Sequence, residues 1–182
     1  MINIGVIGYG YWGPKIVRNL MKIDDFVIIK IVDLNDQNLL KAKKLYPRLI
    51  LSNDINDIIN DKNINAVIIA TPVSTHFHIA KAALNAGKHT LVEKPLASTS
   101  EECKILIDLA DRNKLILQVD HIFPYTGAIG KIKSLFEEKS LGKPLYYDSV
   151  RINLGLFQND VNVIWDLAVH DLSILDYLFD IE

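Results

Sequence analysis

The sequence predicts an α/β protein built on a doubly wound parallel sheet. Three observations predict it. Strand-sized apolar runs alternate with helical stretches through the first two-thirds of the 182 residues. The runs are continuous and rich in β-branched residues, as strands covered on both faces require. A glycine-rich turn closes the first run and opens the first helix, where doubly wound sheets bind their ligands.

The elements follow in order. Ile2–Ile7 is a β-branched run that ends in glycine. Pro14 to Lys22 carries Ile16, Val17, Leu20 and Met21 at helical spacing, and Pro14 suits a first turn, where its missing N–H costs nothing. Phe26–Val32 reads as a strand, Asp36–Tyr46 as a helix stopped by Pro47, and Leu49–Leu51 and Ile55–Ile59 as a short strand and a short helix. Ala66–Ala70 is a strand, His76–Ala86 a helix with Gly87 as its C-terminal cap, and His89–Glu93 a strand. Ser98 and Glu101 form a capping-box pattern for a helix to Asn113, and Leu115–Val119 is a sixth strand. The rhythm then changes, so a domain boundary is placed between residues 1–119 and 120–182. The second part reads as a helix over Tyr125–Leu141, a turn at Gly142–Pro144, a long strand over Leu145–Leu154 and a helix over Asp160–Phe179.

Composition narrows the classes. Hydrophobic residues at 49% and charged residues at 23% are globular values, which exclude disordered and collagen-like chains. A net charge of −2 argues against nucleic-acid or membrane-surface partners held by bulk charge. No apolar run approaches the ~18 residues that span a bilayer. Met1 leads straight into a strand without a basic leader, so no secretory signal is expected. The single cysteine, Cys103, excludes an internal disulfide and fits a reducing, cytoplasmic compartment.

Gly8-Tyr-Gly10-Tyr-Trp-Gly13 is a G-x-G-x-x-G between a strand and a helix. In that context Gly8 permits the tight turn, Gly10 the approach of a pyrophosphate and Gly13 the packing of helix on strand, which is the Rossmann dinucleotide signature. The helix N-terminus adds free N–H groups for the phosphates. Asp33 ends the second strand 20 positions after Gly13 and can accept from both ribose hydroxyls. It repels a 2′-phosphate, and no arginine lies near it in sequence, so NAD is expected over NADP. Tyr9, Tyr11 and Trp12 are candidates to cap the cofactor, the alternative being that such loop aromatics simply pack. Lys94, in Val92-Glu93-Lys94-Pro95, follows the fifth strand at the sheet edge where the nicotinamide end belongs. A lysine at a strand end is most often an exposed lysine, and the spacing alone leaves both readings open.

These motifs, with Ala70-Thr-Pro-Val-Ser-Thr-His76 and Ala86-Gly-Lys-His89, resemble the glucose–fructose oxidoreductase/inositol dehydrogenase family of NAD(P)-dependent sugar and polyol dehydrogenases. The resemblance implies that Lys94 is catalytic and that Thr71, Pro72, His76 and Glu93 lie beside the cofactor. In Trp165-Asp166-Leu-Ala-Val-His170-Asp171, Asp166 and His170 stand at i and i+4 on one helix face. Spacing alone makes them an ordinary pair. The resemblance, through the family's D-x-x-x-H pattern, makes both active-site residues with His170 as proton acceptor. Which of Lys94 and His170 is the formal base stays open. The run from Arg151 to Trp165, with Asp120-His-Ile-Phe and Tyr125, resembles a branch of nucleotide-sugar 3-dehydrogenases acting on UDP-N-acetylhexosamines or their uronates. That implies Arg151, Asn153, Asn159, Asn162 and Tyr125 as substrate contacts. A free sugar or an inositol-type polyol is the alternative substrate.

His76 and His78 lack the Cys or third ligand of a metal site, so no metal is expected. The family's second domain is a large antiparallel sheet, and members are expected to form homo-oligomers. Here that domain is expected to be only begun at Glu182, giving a chain that binds NAD with poor turnover.

Overall fold

The computed structural model describes residues 1–140, 142–152 and 161–180. It divides into two compact units, Met1–Val119 and Asp120–Glu182.

The first unit contains β1 (Ile2–Ile7), α1 (Gly13–Leu20), β2 (Phe26–Val32), α2 (Asp36–Leu45), β3 (Ile50–Ser52), α3 (Asn56–Ile59), β4 (Ala66–Ile69), α4 (Val73–Asn85), β5 (His89–Val92), α5 (Ser100–Asn113) and β6 (Leu117–Val119). All strand pairs are parallel, in the order β3-β2-β1-β4-β5-β6. This is the doubly wound Rossmann fold. The chain moves outward from β1 in one direction through β2 and β3, then returns to place β4 on the other side of β1. The loops after β1 and β4 therefore diverge, leaving a crevice at their carboxyl ends.

Strand alternation divides the core between the two faces. Ile4, Val6, Ile28, Ile31 and Ile68 pack with Tyr9, Val17 and Ala42 on one side. Ile7, Val32, Val67 and Ile69 pack with Ile58, Ala83, Leu84 and Leu106 on the other. Successive side chains of a strand point to opposite faces, so both faces must be apolar when helices cover both.

Two boundaries differ from the sequence reading. Helix α4 begins at Val73, directly after Pro72, whose extended ψ of 145° makes it the cap. Helix α5 is capped by Thr99, whose hydroxyl accepts from Glu102 N at 3.2 Å, while Glu102 Oε2 accepts from Ser98 N at 3.1 Å. Ser98-x-x-Glu101 and Thr99-x-x-Glu102 are both capping patterns, and the helix uses the second.

The second unit holds a 3-10 turn (Phe123–Tyr125), α6 (Gly127–Glu137), a π-helical turn (Ile164–Ala168) and α7 (Val169–Phe179). Phe136 of α6 meets Phe179 of α7 edge-on at 5.2 Å, and Lys133 Nζ donates to Tyr177 O at 2.6 Å. Ile174 is the buried side chain of α7, whereas Leu172 is exposed. The strand expected over 145–154 is absent from its described residues, 145–152, and Leu145, Tyr146 and Ile152 are exposed. A strand exists only where its N–H and C=O groups find a ladder partner, and no strand among the described residues offers one. Residues 153 and 154 lie outside the described residues. The single helix expected over 160–179 is instead the π turn followed by α7.

Candidate cofactor cleft and active-site residues

The glycine turn is built from contacts that only glycine permits. Gly8 has φ +97°, and a Cβ there would stand 2.3 Å from the Ala70 carbonyl oxygen. A Cβ on Gly13 would stand 2.3 Å from the Gly8 carbonyl oxygen. Gly10 differs, because a Cβ on it would meet nothing within 4 Å. The folded protein itself does not need glycine at that position, which leaves the backbone open to a close-approaching ligand. Tyr9 is buried at 1% exposure with its hydroxyl unpartnered, and burial pushes its phenol pKa up. It anchors the turn in the core, the packing alternative of the sequence reading, and its ring is not available to cap a cofactor. Tyr11 and Trp12 are exposed, with Lys15 Nζ 3.6 and 3.9 Å from their ring centres. This cation–π cluster has no sequence signature beyond proximity.

Asp33 follows β2 directly and turns its carboxylate to the glycine turn. Oδ2 accepts from Tyr9 N at 2.6 Å and from Asn38 Nδ2 at 3.2 Å, and Oδ1 accepts from Asn35 N at 2.7 Å. Asn38, on the first turn of α2, is a site residue that sequence reasoning missed. Gly8, Gly10, Asp33, Asn38, Thr71 and Pro72 line a single cleft of about 710 Å³ at the switch point of the sheet. That volume falls within the range of small-molecule sites.

Across the switch point, Thr75 Oγ1 is 2.7 Å from both Thr71 Oγ1 and Pro72 O, which ties the β4–α4 turn to the first turn of α4. His76 is 1% exposed, with Nδ1 2.8 Å from Pro95 O and Nε2 2.8 Å from Thr71 O. The sequence assigned His76 to the cofactor side; the structure places it beneath the two turns that border that side. His78 is exposed, and no group of three or more metal-ligating side chains occurs among the described residues. Glu93 is buried and Lys94 half-buried in the turn after β5, and the Lys94–Pro95 bond is cis. Lys88, at the opposite end of β5, is buried, with Nζ donating to Asp61 O at 2.7 Å and Ile64 O at 2.9 Å. Burial pulls its pKa down, and Asp61 opposes that shift.

In the second unit, Asp166 lies inside the π turn and His170 in the first turn of α7. The Phe123 ring meets His170 edge-on at 4.9 Å and lies under the Arg151 guanidinium at 4.8 Å. Arg151 Nε donates to Asp171 Oδ2 at 2.7 Å, and Ser149 Oγ donates to Asp171 Oδ1 at 2.8 Å. The Arg151 hydrogen bond holds the Asp171 carboxyl below the usual range. Asp171 and Phe123 were not singled out from sequence, and no local spacing connects them with Arg151. Asn162, expected to contact substrate, accepts from Ile164 N at 3.0 Å and Trp165 N at 3.1 Å, and so caps the π turn. Tyr125 is 79% exposed. Asn153 and Asn159 lie outside the described residues. Cys103 is half-buried, and burial raises its thiol pKa, which disfavours the nucleophilic thiolate.

A dinucleotide fits the first unit: the open space at Gly10 admits a pyrophosphate, and Asp33 stands one strand away for a ribose. No helix among the described residues is long and apolar enough to cross a membrane. The chain is 30% identical to inositol 2-dehydrogenase of Azotobacter vinelandii over 188 residues, covering 98% of this chain and 54% of that protein. It is 28% identical to scyllo-inositol 2-dehydrogenase (NADP(+)) of Bacillus subtilis, covering 90% and 44%. A solved NAD-binding protein from Listeria innocua superimposes with a TM-score of 0.84 at 26% identity, covering 98% of this chain and 55% of that one. The chain thus spans about half the length of these relatives. Residues 2–121 match the family model described as "Oxidoreductase family, NAD-binding Rossmann fold". The glycine turn, the switch-point cleft and this match together establish that the chain belongs to the Gfo/Idh/MocA oxidoreductase family.

Proposed function

We propose that the chain is the cofactor-binding part, residues 1–119, and the first portion of the substrate-binding part, residues 120–182, of an NAD-dependent dehydrogenase. It oxidises a secondary hydroxyl of a polyol or sugar to a ketone. The observation that carries this reading is the Asp33 carboxylate, which stands beside the glycine turn in the switch-point cleft. An anion there accepts from ribose hydroxyls and repels a 2′-phosphate. One relative's name carries NADP(+), and Asp33 is the reason to favour NAD for this chain.

Bound nicotinamide supplies the hydride acceptor. The chain's own groups handle the proton. Lys94 follows β5 at the carboxyl edge of the sheet and polarises the oxygen that becomes the ketone. His170 and Lys94 are the two candidate acceptors of the hydroxyl proton, and the His170 ring meets Phe123 edge-on at 4.9 Å. Asp166, one turn earlier, orients His170. The names of the relatives favour an inositol-type polyol over a nucleotide sugar. The nucleotide-sugar reading rests on the run from Arg151 to Trp165, where Arg151 is engaged by Asp171 and Asn162 by its own turn.

Calorimetric titration with NADH and NADPH tests the cofactor. NADH is expected to bind at least tenfold tighter. Equal affinities, or no binding of either, overturn the reading. A thermal-shift series with NADH present compares myo-inositol, scyllo-inositol and UDP-N-acetylglucosamine. Stabilisation by the nucleotide sugar alone replaces the polyol assignment.

A further inference from the structure

His76 lies 2.8 Å from two backbone carbonyl oxygens, one at each ring nitrogen. A carbonyl oxygen only accepts. A neutral imidazole carries one N–H, so it satisfies one carbonyl and turns a lone pair toward the other; a doubly protonated ring satisfies both. The ring is 1% exposed, so water does not relieve the conflict. Its two partners belong to different turns. Thr71 lies between β4 and α4 and lines the cofactor cleft, whereas Pro95 directly follows Lys94. Glu93, buried, and Lys94, half-buried, lie in the Pro95 turn, and His78 and Lys81, both exposed, lie on its own helix.

We infer that His76 is a positioning residue. As a doubly protonated ring it braces the cofactor-lining turn at Thr71 against the Lys94–Pro95 turn, and so fixes the turn that carries Lys94. The inference rests on the proposed cofactor site but makes a separate claim about the ring. The two halves of the brace can be removed one at a time. In His76→Asn the side-chain amide nitrogen replaces Nδ1 and keeps the bond to Pro95 O. In His76→Gln it replaces Nε2 and keeps the bond to Thr71 O.

The test uses the 182-residue chain with nitrogen-15 labelled histidine and carbon-13 labelled lysine. At neutral pH the His76 ring should show both nitrogens protonated. His76→Ala should bind NADH about tenfold more weakly than the wild type, the loss of roughly one charge-assisted hydrogen bond. His76→Gln should stay within about twofold of wild type. NADH should shift the Lys94 signal in the wild type and in His76→Asn, and shift it much less in His76→Gln. Thermal unfolding confirms that each variant is folded, and the Gln and Asn variants carry the test where Ala does not fold. A wild-type ring with one bare nitrogen overturns the inference. So does a Lys94 response that is the same in the Asn and Gln variants. A wild-type chain that binds no dinucleotide defeats the proposed function instead, and leaves the ring's protonation state to be read on its own.

Discussion

Replacing Gly10 with alanine separates what the fold needs from what a ligand needs. A Cβ at Gly10 meets no atom within 4 Å, and its φ lies outside the left-handed region. The folded state should therefore accept the methyl group without strain, while the unfolded chain loses conformational freedom. Such a change stabilises by about 0.4–1 kcal/mol. For a chain of this size that corresponds to a rise of about 1–4 °C in Tm. NADH binding should move the other way. The methyl group occupies the space through which a pyrophosphate reaches the backbone, and one lost charge-assisted hydrogen bond is worth about 1.5–3 kcal/mol, or roughly ten- to a hundredfold in Kd. Calorimetry gives the affinity, and a thermal melt without ligand gives the stability. Gly13→Ala serves as the contrast: its Cβ would press on the Gly8 carbonyl oxygen at 2.3 Å, so it should lower Tm as well as affinity. A Gly10→Ala chain that binds NADH as the wild type does would refute the assignment of the pyrophosphate to this turn.

Three further outcomes follow from the described contacts. Asp33→Ser removes the charge beside the ribose position and should shift the NADPH-to-NADH affinity ratio at least tenfold toward NADPH; competition titration reads the ratio. Lys88→Met leaves the carbonyls of Asp61 and Ile64 without their donor and should cost about 2–4 kcal/mol of stability in urea unfolding, with cofactor affinity unchanged because Lys88 lies at the far end of β5. Asp171 has a folded pKa below its unfolded one, so its stabilising contribution is complete above the unfolded carboxyl pKa and is lost as pH falls through the folded value. The stability difference between wild type and Asp171→Asn should therefore be constant from pH ~6 to ~5 and close below pH ~4. A gap that widens on acidification contradicts the Arg151 pairing.

The parts of the fold written locally were legible in the sequence. β1 and β2 have the bounds read from sequence because each apolar run is ended by a local signal, the glycine turn after β1 and the charged Asp33 after β2. The glycines were assigned distinct roles from spacing, and the structure separates Gly8 and Gly13 from Gly10 on the same lines. Long-range facts were not legible. Tyr9 reads as a loop aromatic until the turn buries it, and Asn38 reads as a helix residue until α2 brings its amide to Asp33. The alternation over 145–152 resembles a strand, but strand formation depends on a neighbouring backbone that local sequence does not encode. The π turn at 164–168 escaped because the apolar spacing of α7 continues smoothly through it.

If the chain takes NAD as proposed, Asp33 discriminates without holding tightly. A carboxylate offers about four lone-pair positions, and Tyr9 N, Asn35 N and Asn38 Nδ2 already take three of them. One ribose hydroxyl can use the remaining position; a second must displace the Asn38 amide, the longest of the three bonds at 3.2 Å. Binding therefore exchanges hydrogen bonds at this carboxylate more than it adds them, while the negative charge keeps its full effect against a 2′-phosphate. In the proposed reading the residue works as a filter on which dinucleotide enters, and the grip on the one that does comes from the adjoining glycine turn.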